Sequence, residues 1–230
     1  MSINTSDSQH ELPWYRARLG NITGSKVSDI MKSGRKKDET FSDTAKAYLY
    51  QVAGERLFNK DFLNDDEVFS DYLEETSFTT KAMLWGTEQE DAARRLASDI
   101  LGYDIEEVSL CAHDTIPHFA ASPDGMIRNI DGDGHLGVLE IKCPNVGTFM
   151  RYRHLIHSAE DLKTVKPEYY WQMMAEMDCT GAVGGLFVTY CPWLSKPFHY
   201  ARIGRGEDDS NLMEERVALA NEFIENIINK

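Results

Sequence analysis

The sequence predicts an α/β domain with a mixed central β-sheet flanked by helices. Three features carry that prediction. Apolar residues recur at helical spacing around 42–58, from Thr79 or Thr80 to about Gly102, and over 167–179 and 209–230. Short β-rich runs lie between them at 108–112, 119–122, 125–130 and 138–143, and again at 184–190 and 198–203. The central runs are joined by Asn129-Ile-Asp-Gly-Asp-Gly-His135, where Gly takes positive φ easily and Asp or Asn tolerates left-handed backbone. No internal repeat or low-complexity linker interrupts the 230 residues, so the expectation is a flexible N-terminus over 1–12 and one domain over 13–230.

Taken in order, Thr23 or Ser25 is the expected N-cap of a helix that turns Val27, Ile30 and Met31 inward. Gly34 to Glu39 reads as a basic loop. In 42–58, Ala45, Tyr48, Leu49, Val52 and Leu57 share a helix face. Residues 59–77 are acidic and irregular, which predicts a loop with a short helix. The next helix carries Met83, Leu84, Ala92, Ala93, Leu96 and Ile100, with Gly102 as its stop. A hairpin over 121–144 follows, then a helix over 149–157. Pro167 opens a helix with Tyr170, Met173, Met174 and Met177 inside. The closing helix carries Leu212, Val217, Leu219, Phe223, Ile224, Ile227 and Ile228.

Composition narrows the function. No apolar run approaches the roughly 20 residues of a membrane helix, and the polar start MSINTSDSQHELPW lacks a secretory pattern. Four cysteines, at 111, 143, 179 and 191, include no Cys-x-x-Cys pair, so free thiols in a reducing cytoplasm are expected. The net charge of −14 argues against broad nucleic-acid binding. The charge is uneven, however. Residues 61–75 and 207–215 are acidic, while 16–37 holds Arg16, Arg18, Lys26, Lys32, Arg35, Lys36 and Lys37. A locally basic site within an acidic exterior remains open.

The hairpin concentrates the chemistry. Asp124 sits in Ser-Pro-Asp-Gly, and the turn brings Glu140 back beside it. Strand residues two apart share a face, so Glu140 and Lys142 point one way while Leu139, Ile141 and Cys143 point the other. Two acids and a lysine on one side could hold a divalent metal and activate water. The lysine could orient that water, accept its proton if its own pKa is depressed, or stabilise charge on phosphorus. An ordinary charged hairpin is the alternative.

Other clusters are weaker alone. Glu90 could add a carboxylate, or belong to a solvated helix face with Arg94 and Arg95. Gln172 and Glu176 share a helix face in apolar surroundings, so the amide needs a partner, in the site or in the backbone. Trp14, Arg18, Thr23 and Ser25 could form an anion site near a helix start, or be a cap and surface charges. The histidines show no zinc-ligand spacing.

Five motifs occur in a fixed order: W-x3-R-L-G-x-I-T-x-S at 14–25, W-G-x3-E at 85–90, S-P-D-G at 122–125, L-E-I-K-C-P at 139–144, and Y-x-Q at 170–172. In that order the chain resembles the lambda exonuclease family of phage and prophage recombination nucleases. The resemblance implies a restriction-endonuclease-like fold. It implies a Mg²⁺-dependent 5′→3′ exonuclease, with Mn²⁺ as a substitute. Such an enzyme digests linear double-stranded DNA from 5′-phosphorylated ends to mononucleotides and leaves a 3′ single strand. It implies a ring-shaped homotrimer, a single-strand annealing protein as partner, and a cytoplasmic location in a bacterial host. By motif, Asp124, Glu140 and the Ile141 carbonyl resemble metal ligands, Lys142 the water-activating lysine, Glu90 a further acid and Gln172 a supporting glutamine. Arg18, Ser25 and Ser122 resemble the 5′-phosphate pocket, Trp14 part of a strand-separating wedge, and Arg35 a duplex contact. Met174 stands where the family often has a second Gln. The same fold could instead serve a structure-specific endonuclease, or an idle DNA-end binding module.

Overall fold

The computed structural model describes residues 9–36, 39–76 and 80–230; Lys37 and Thr79 lie outside them. Two sheets are present among the described residues. The smaller has the order β1-β4-β3, built from β1 (Ile22–Thr23), β3 (Cys111–Ala112) and β4 (Phe119–Ala121). The larger is β2 (Ile105–Glu106), β5 (Gly125–Ile127), β6 (Gly137–Lys142), β7 (Gly184–Tyr190) and β8 (Phe198–Gly204), side by side in that order. β6 runs parallel to β7, and the other neighbours in this sheet are antiparallel. A parallel pair needs a crossover. Here it is made by α7 (Val146–Leu155), α8 (Ala159–Val165) and α9 (Pro167–Thr180).

The alternation in β6 assigns its two faces. Leu139 and Ile141 pack with Leu186 and Val188 of β7 against Ala93 and Ala97 of α6 (Lys81–Leu101). Val138 and Phe187 face the other way, into the core that holds Met173, Met174 and Met177 of α9. Helix α9 is buried from Tyr170 through Thr180 apart from Gln172, because it is wedged between the two sheets. Gly185 makes the close approach of β7 to α9 feasible: a Cβ there would stand 2.6 Å from Val138 and 2.9 Å from Met173. Helices α2 (Val27–Ile30), α3 (Asp43–Arg56) and α10 (Glu207–Ile228) close this side of the core.

Most predicted elements form, and the departures have local causes. The acidic segment 59–77 is two helices, α4 (Lys60–Asn64) and α5 (Asp66–Thr76), rather than mainly loop. Phe58, Phe62, Phe69 and Tyr72 gather with ring centroids 5.2–6.4 Å apart and leave the acids outside. Strand β5 stops at Ile127 because Asn129 already starts the turn, its side-chain oxygen accepting from Gly132 N at 2.9 Å and Gly134 N at 2.8 Å. Helix α2 is one turn long, and neither Thr23 nor Ser25 caps it through a side chain. The flexible segment expected over 1–12 is described only from Gln9. From there it is held: the Gln9 amide donates to the carbonyls of Val108 and Pro123, both at 2.8 Å. Helix α1 (Leu12–Arg18) then begins immediately. Arg16 anchors it to the acidic helices, lying 4.8 Å over the Phe69 ring and donating to the Leu63 carbonyl at 2.7 Å.

Candidate active site

A cleft of about 560 Å³ opens where α1, the first half of α6, the ends of β5 and β6, and α9 converge. Trp14, Arg18, Ser25, Glu90, Ser122, Asp124, Ile141, Lys142 and Gln172 all line it. Glu140 lies fully buried behind its wall. Arg35 is exposed on the loop after α2 and is not among the lining residues. A wider depression of about 610 Å³ lies at the turn end of the β5–β6 hairpin. Its charges are committed to neighbours, Arg128 to Glu106 at 2.7 Å and Arg202 to the Tyr103 hydroxyl at 2.7 Å.

The acidic core is built by β6 and the turn before β5. Asp124 Oδ2 accepts from the Ile141 amide at 2.6 Å, which locks the Ser-Pro-Asp-Gly turn to the strand. Arg94 of α6 donates to the Asp124 carbonyl at 2.7 Å and braces the turn from the other side. Lys142 reaches back to pair with Glu140 Oε1. Its ammonium also lies 5.1 Å over the Tyr169 ring. Burial, and then the neighbouring Glu140 charge, push the Asp124 carboxyl well above the ordinary range. Burial alone would lower Lys142, but Glu140 and Asp124 outweigh it and hold the ammonium above its usual value.

Helix α9 supplies a third acid. Gln172 donates to Glu176 Oε1 at 3.0 Å. The Oε2 atoms of Glu140 and Glu176 are both buried without a hydrogen-bond partner among the described residues. Burial, then Glu140, raise Glu176 well above the carboxylate range. A proton on Glu176 gives it a donor toward Glu140, which two ionised carboxylates would lack. Glu90 approaches from α6. Burial opposes its charge, but His10, Lys142 and Arg94 prevail and lower it. His10 Nε2 stands 3.9 Å from Glu90, an ion-pair distance rather than a hydrogen bond. Glu90 thus faces the cleft, and its neighbour Asp91 makes the surface pairs with Arg94 and Arg95.

Does this set suit a metal? Among the described residues, no three His, Cys, Asp or Glu side chains form a ready cage. Mg²⁺ seldom needs one: it takes one or two carboxylates and fills its octahedron with water and phosphate oxygens. The oxygen-only donors, and the orphaned Glu140 Oε2 beside them, fit a hard cation.

Another wall of the cleft is cationic. The Arg18 guanidinium stacks 4.3 Å over the Trp14 ring, and among the described residues no carboxylate lies within ion-pair distance of it. Burial, the largest influence, lowers its pKa, so an anion there would be welcome. Trp14 donates from Nε1 to Ser122 Oγ at 3.1 Å. Ser25 is exposed on the 3-10 turn Gly24–Lys26. Gly24 lets that turn settle on α9, since a Cβ there would stand 3.1 Å from Ala121 and 3.4 Å from Ala175. Trp14 is only 6% exposed. The ring faces inward, a bearing under Arg18 with its indole nitrogen on Ser122.

Sequence reasoning assigned no site role to Gln9, His10, Arg94, Tyr169 or Glu176. Only Glu176 carried a signal, its i,i+4 spacing from Gln172 in an apolar helix.

Comparison with known proteins agrees with the motif order. A family model described as a YqaJ-like viral recombinase domain matches residues 13–183. An alkaline exonuclease from Laribacter hongkongensis, LHK-Exo, is 30% identical, with 95% of each chain covered and a TM-score of 0.72. Its complex with dAMP matches equally, at 30% identity, 95% coverage of each chain and a TM-score of 0.72. A phage-related exonuclease from Haemophilus somnus 129PT shares the fold at 16% identity and a TM-score of 0.64, over 91% of this chain and 95% of that one. No curated protein matches the chain. The fold is restriction-endonuclease-like, and the chain belongs to the YqaJ-like viral recombinase family.

Proposed function

We propose that this chain is a Mg²⁺-dependent 5′→3′ exonuclease that digests linear double-stranded DNA from 5′-phosphorylated ends. It releases mononucleotides and leaves a 3′ single strand for recombination by annealing. Family membership and the 30% identical exonuclease support a nuclease that serves recombination. The finer reading rests on one observation: a cationic pocket of Arg18, Ser25 and Ser122 shares a single cleft with Asp124, Ile141 and Lys142. A nuclease that counts from a phosphorylated end needs both in one place. The dAMP bound by LHK-Exo, a nucleoside monophosphate, is in keeping with mononucleotide products.

Asp124, Glu140 and the Ile141 carbonyl would hold the metal, with Glu90 close by. When bound, Mg²⁺ would polarise the phosphodiester and acidify a water. The chain's own groups do the positioning. Arg18 offers a planar fork to the terminal phosphate, and Ser25 and Ser122 add hydroxyl donors. Gln172 fixes Glu176, which in turn braces Glu140. Lys142, beside Glu140, would orient the attacking water and stabilise charge developing on the phosphate oxygens. Assembly as a homotrimeric ring, transfer of the product strand to a single-strand annealing protein, and residence in the host cytoplasm complete the proposal.

The test is digestion of linear duplexes with 5′-phosphate or 5′-hydroxyl ends, in Mg²⁺, in Mn²⁺ and in chelator, beside a closed circular duplex. Fast loss of the phosphorylated linear duplex in metal alone is expected. Activity in chelator overturns the metal dependence, and cleavage of the closed circle assigns an endonuclease instead.

A further inference from the structure

Outside the cleft, one feature of the surface is not explained by packing. The rings of Trp85 and Trp193 stack with centroids 5.5 Å apart and planes 13° from parallel. Trp193 is nevertheless 72% exposed, and Met83 and Leu84 beside Trp85 are each 55% exposed. A tryptophan held flat against another ring on one face, and open on the other, is a surface for a third planar group.

Its location ties it to the cleft. Trp85 lies in the opening turns of α6 between Met83 and Gly86, both of which line the cleft. Trp193 stands three residues beyond the last residue of β7, Tyr190. In the parallel β6–β7 pair Thr189 is opposite Lys142, so the Trp193 loop leaves the sheet at the same end as the lysine. The surroundings favour a polyanion carrying flat groups. Lys81 begins α6, whose first turn contains no acid. Lys196 is exposed in the Trp193 loop. A cation one helical turn before Trp85, another three residues after Trp193, and the open ring match the two halves of a nucleotide, phosphate and base.

We propose that Trp193, backed by Trp85, is a stacking platform for an unpaired nucleobase of a single strand passing the mouth of the cleft. The proposal rests on the nucleic-acid reading above and adds a second contact to it, one that recognises bases through their faces and is indifferent to sequence.

The experiment measures binding of the full chain, in chelator so that nothing is cut. One probe is a duplex with a short single-stranded 3′ extension. The other is the same duplex with abasic sites in the extension, so that every phosphate is kept. The wild type should bind the base-bearing probe on the order of tenfold more tightly. Trp193→Leu should bind both alike, and Trp193→Phe should retain most of the preference. Equal binding of both probes by the wild type overturns the proposal, as does a preference that survives Trp193→Leu. A fall in the mass of the Trp193→Leu protein in solution also overturns it, by assigning the patch to contact between copies of this chain. The nuclease reading fails separately, through inactivity toward duplex ends in Mg²⁺ with the base preference intact.

Discussion

Trp14 donates its indole hydrogen to Ser122 at 3.1 Å while its ring carries the Arg18 guanidinium 4.3 Å above it. One buried side chain therefore sets the position of two of the three groups that form the cationic pocket. Trp14→Phe keeps a ring under Arg18 and removes the donor. Loss of one neutral hydrogen bond is worth about 1 kcal/mol. The ratio of digestion rates on 5′-phosphate and 5′-hydroxyl ends should fall roughly fivefold, and stability should fall by about 1 kcal/mol with the lost hydrogen bond. Trp14→Ala removes the bearing as well and should destabilise the fold by about 3 kcal/mol in denaturant titration.

Lys142 pairs with Glu140 and lies over the Tyr169 ring. Lys142→Gln should lower single-turnover cleavage by roughly 10²–10³-fold, as when a preorganised electrostatic donor is removed. Affinity for duplex ends in chelator should stay within about threefold, since the phosphate contacts are elsewhere. A comparable loss of affinity would make Lys142 a binding residue.

The crowded acids give the metal-free protein a definite pH response. Asp124 and Glu176 are both raised in the folded state, by burial first and by Glu140 second. A carboxyl whose folded pKa exceeds its unfolded pKa binds more protons when folded, so stability falls as pH rises from the unfolded value through the folded one. In chelator the melting temperature should climb as pH is lowered from 8 toward the upper carboxylate range. Asp124→Asn, which keeps an oxygen for the Ile141 amide, should melt higher than the wild type at pH 8 and show a flatter profile. For a chain of this size each kcal/mol appears as about 2–4 °C. Saturating Mg²⁺ should raise the wild type and leave the variant behind.

How much of this was legible in the sequence depended on the range of the signal. The β6 alternation gave both faces correctly, because a period of two is local. Helix starts were read less well: the caps are Ser42 and Thr80, which accept from Ala45 N and Met83 N, both at 3.2 Å, and not the expected Thr23 or Ser25. The acidic segment was misjudged because its aromatics bury themselves mainly against one another and against Arg16, a partner distant in sequence. That Trp14 is buried against Arg18 and Ser122 is a tertiary fact that no motif writes. Gln9, His10 and Arg94 reach the site through contacts with residues far along the chain, and such pairings leave no periodic trace.

The acidic helices should bear on the pocket through α1. Phe69 is fully buried and lies under Arg16. Phe69→Ala should cost about 3–4 kcal/mol in denaturant titration. It should also weaken the 5′-phosphate preference, because Arg16 and Arg18 share one short helix. Unchanged preference at reduced stability would separate the two.

The central claim is that the cationic pocket makes this acid–lysine site count from a 5′ end. The most direct measurement follows the first product released from a blunt, 5′-phosphorylated duplex labelled in its terminal nucleotides, with distinct labels at the 5′ and 3′ positions, in Mg²⁺. The 5′ label should leave first, as a mononucleotide, and Arg18→Ala with Ser122→Ala should slow that release far more than cleavage further along the strand. Release of the 3′ label first, or of the 5′ label within a longer oligonucleotide, would contradict it.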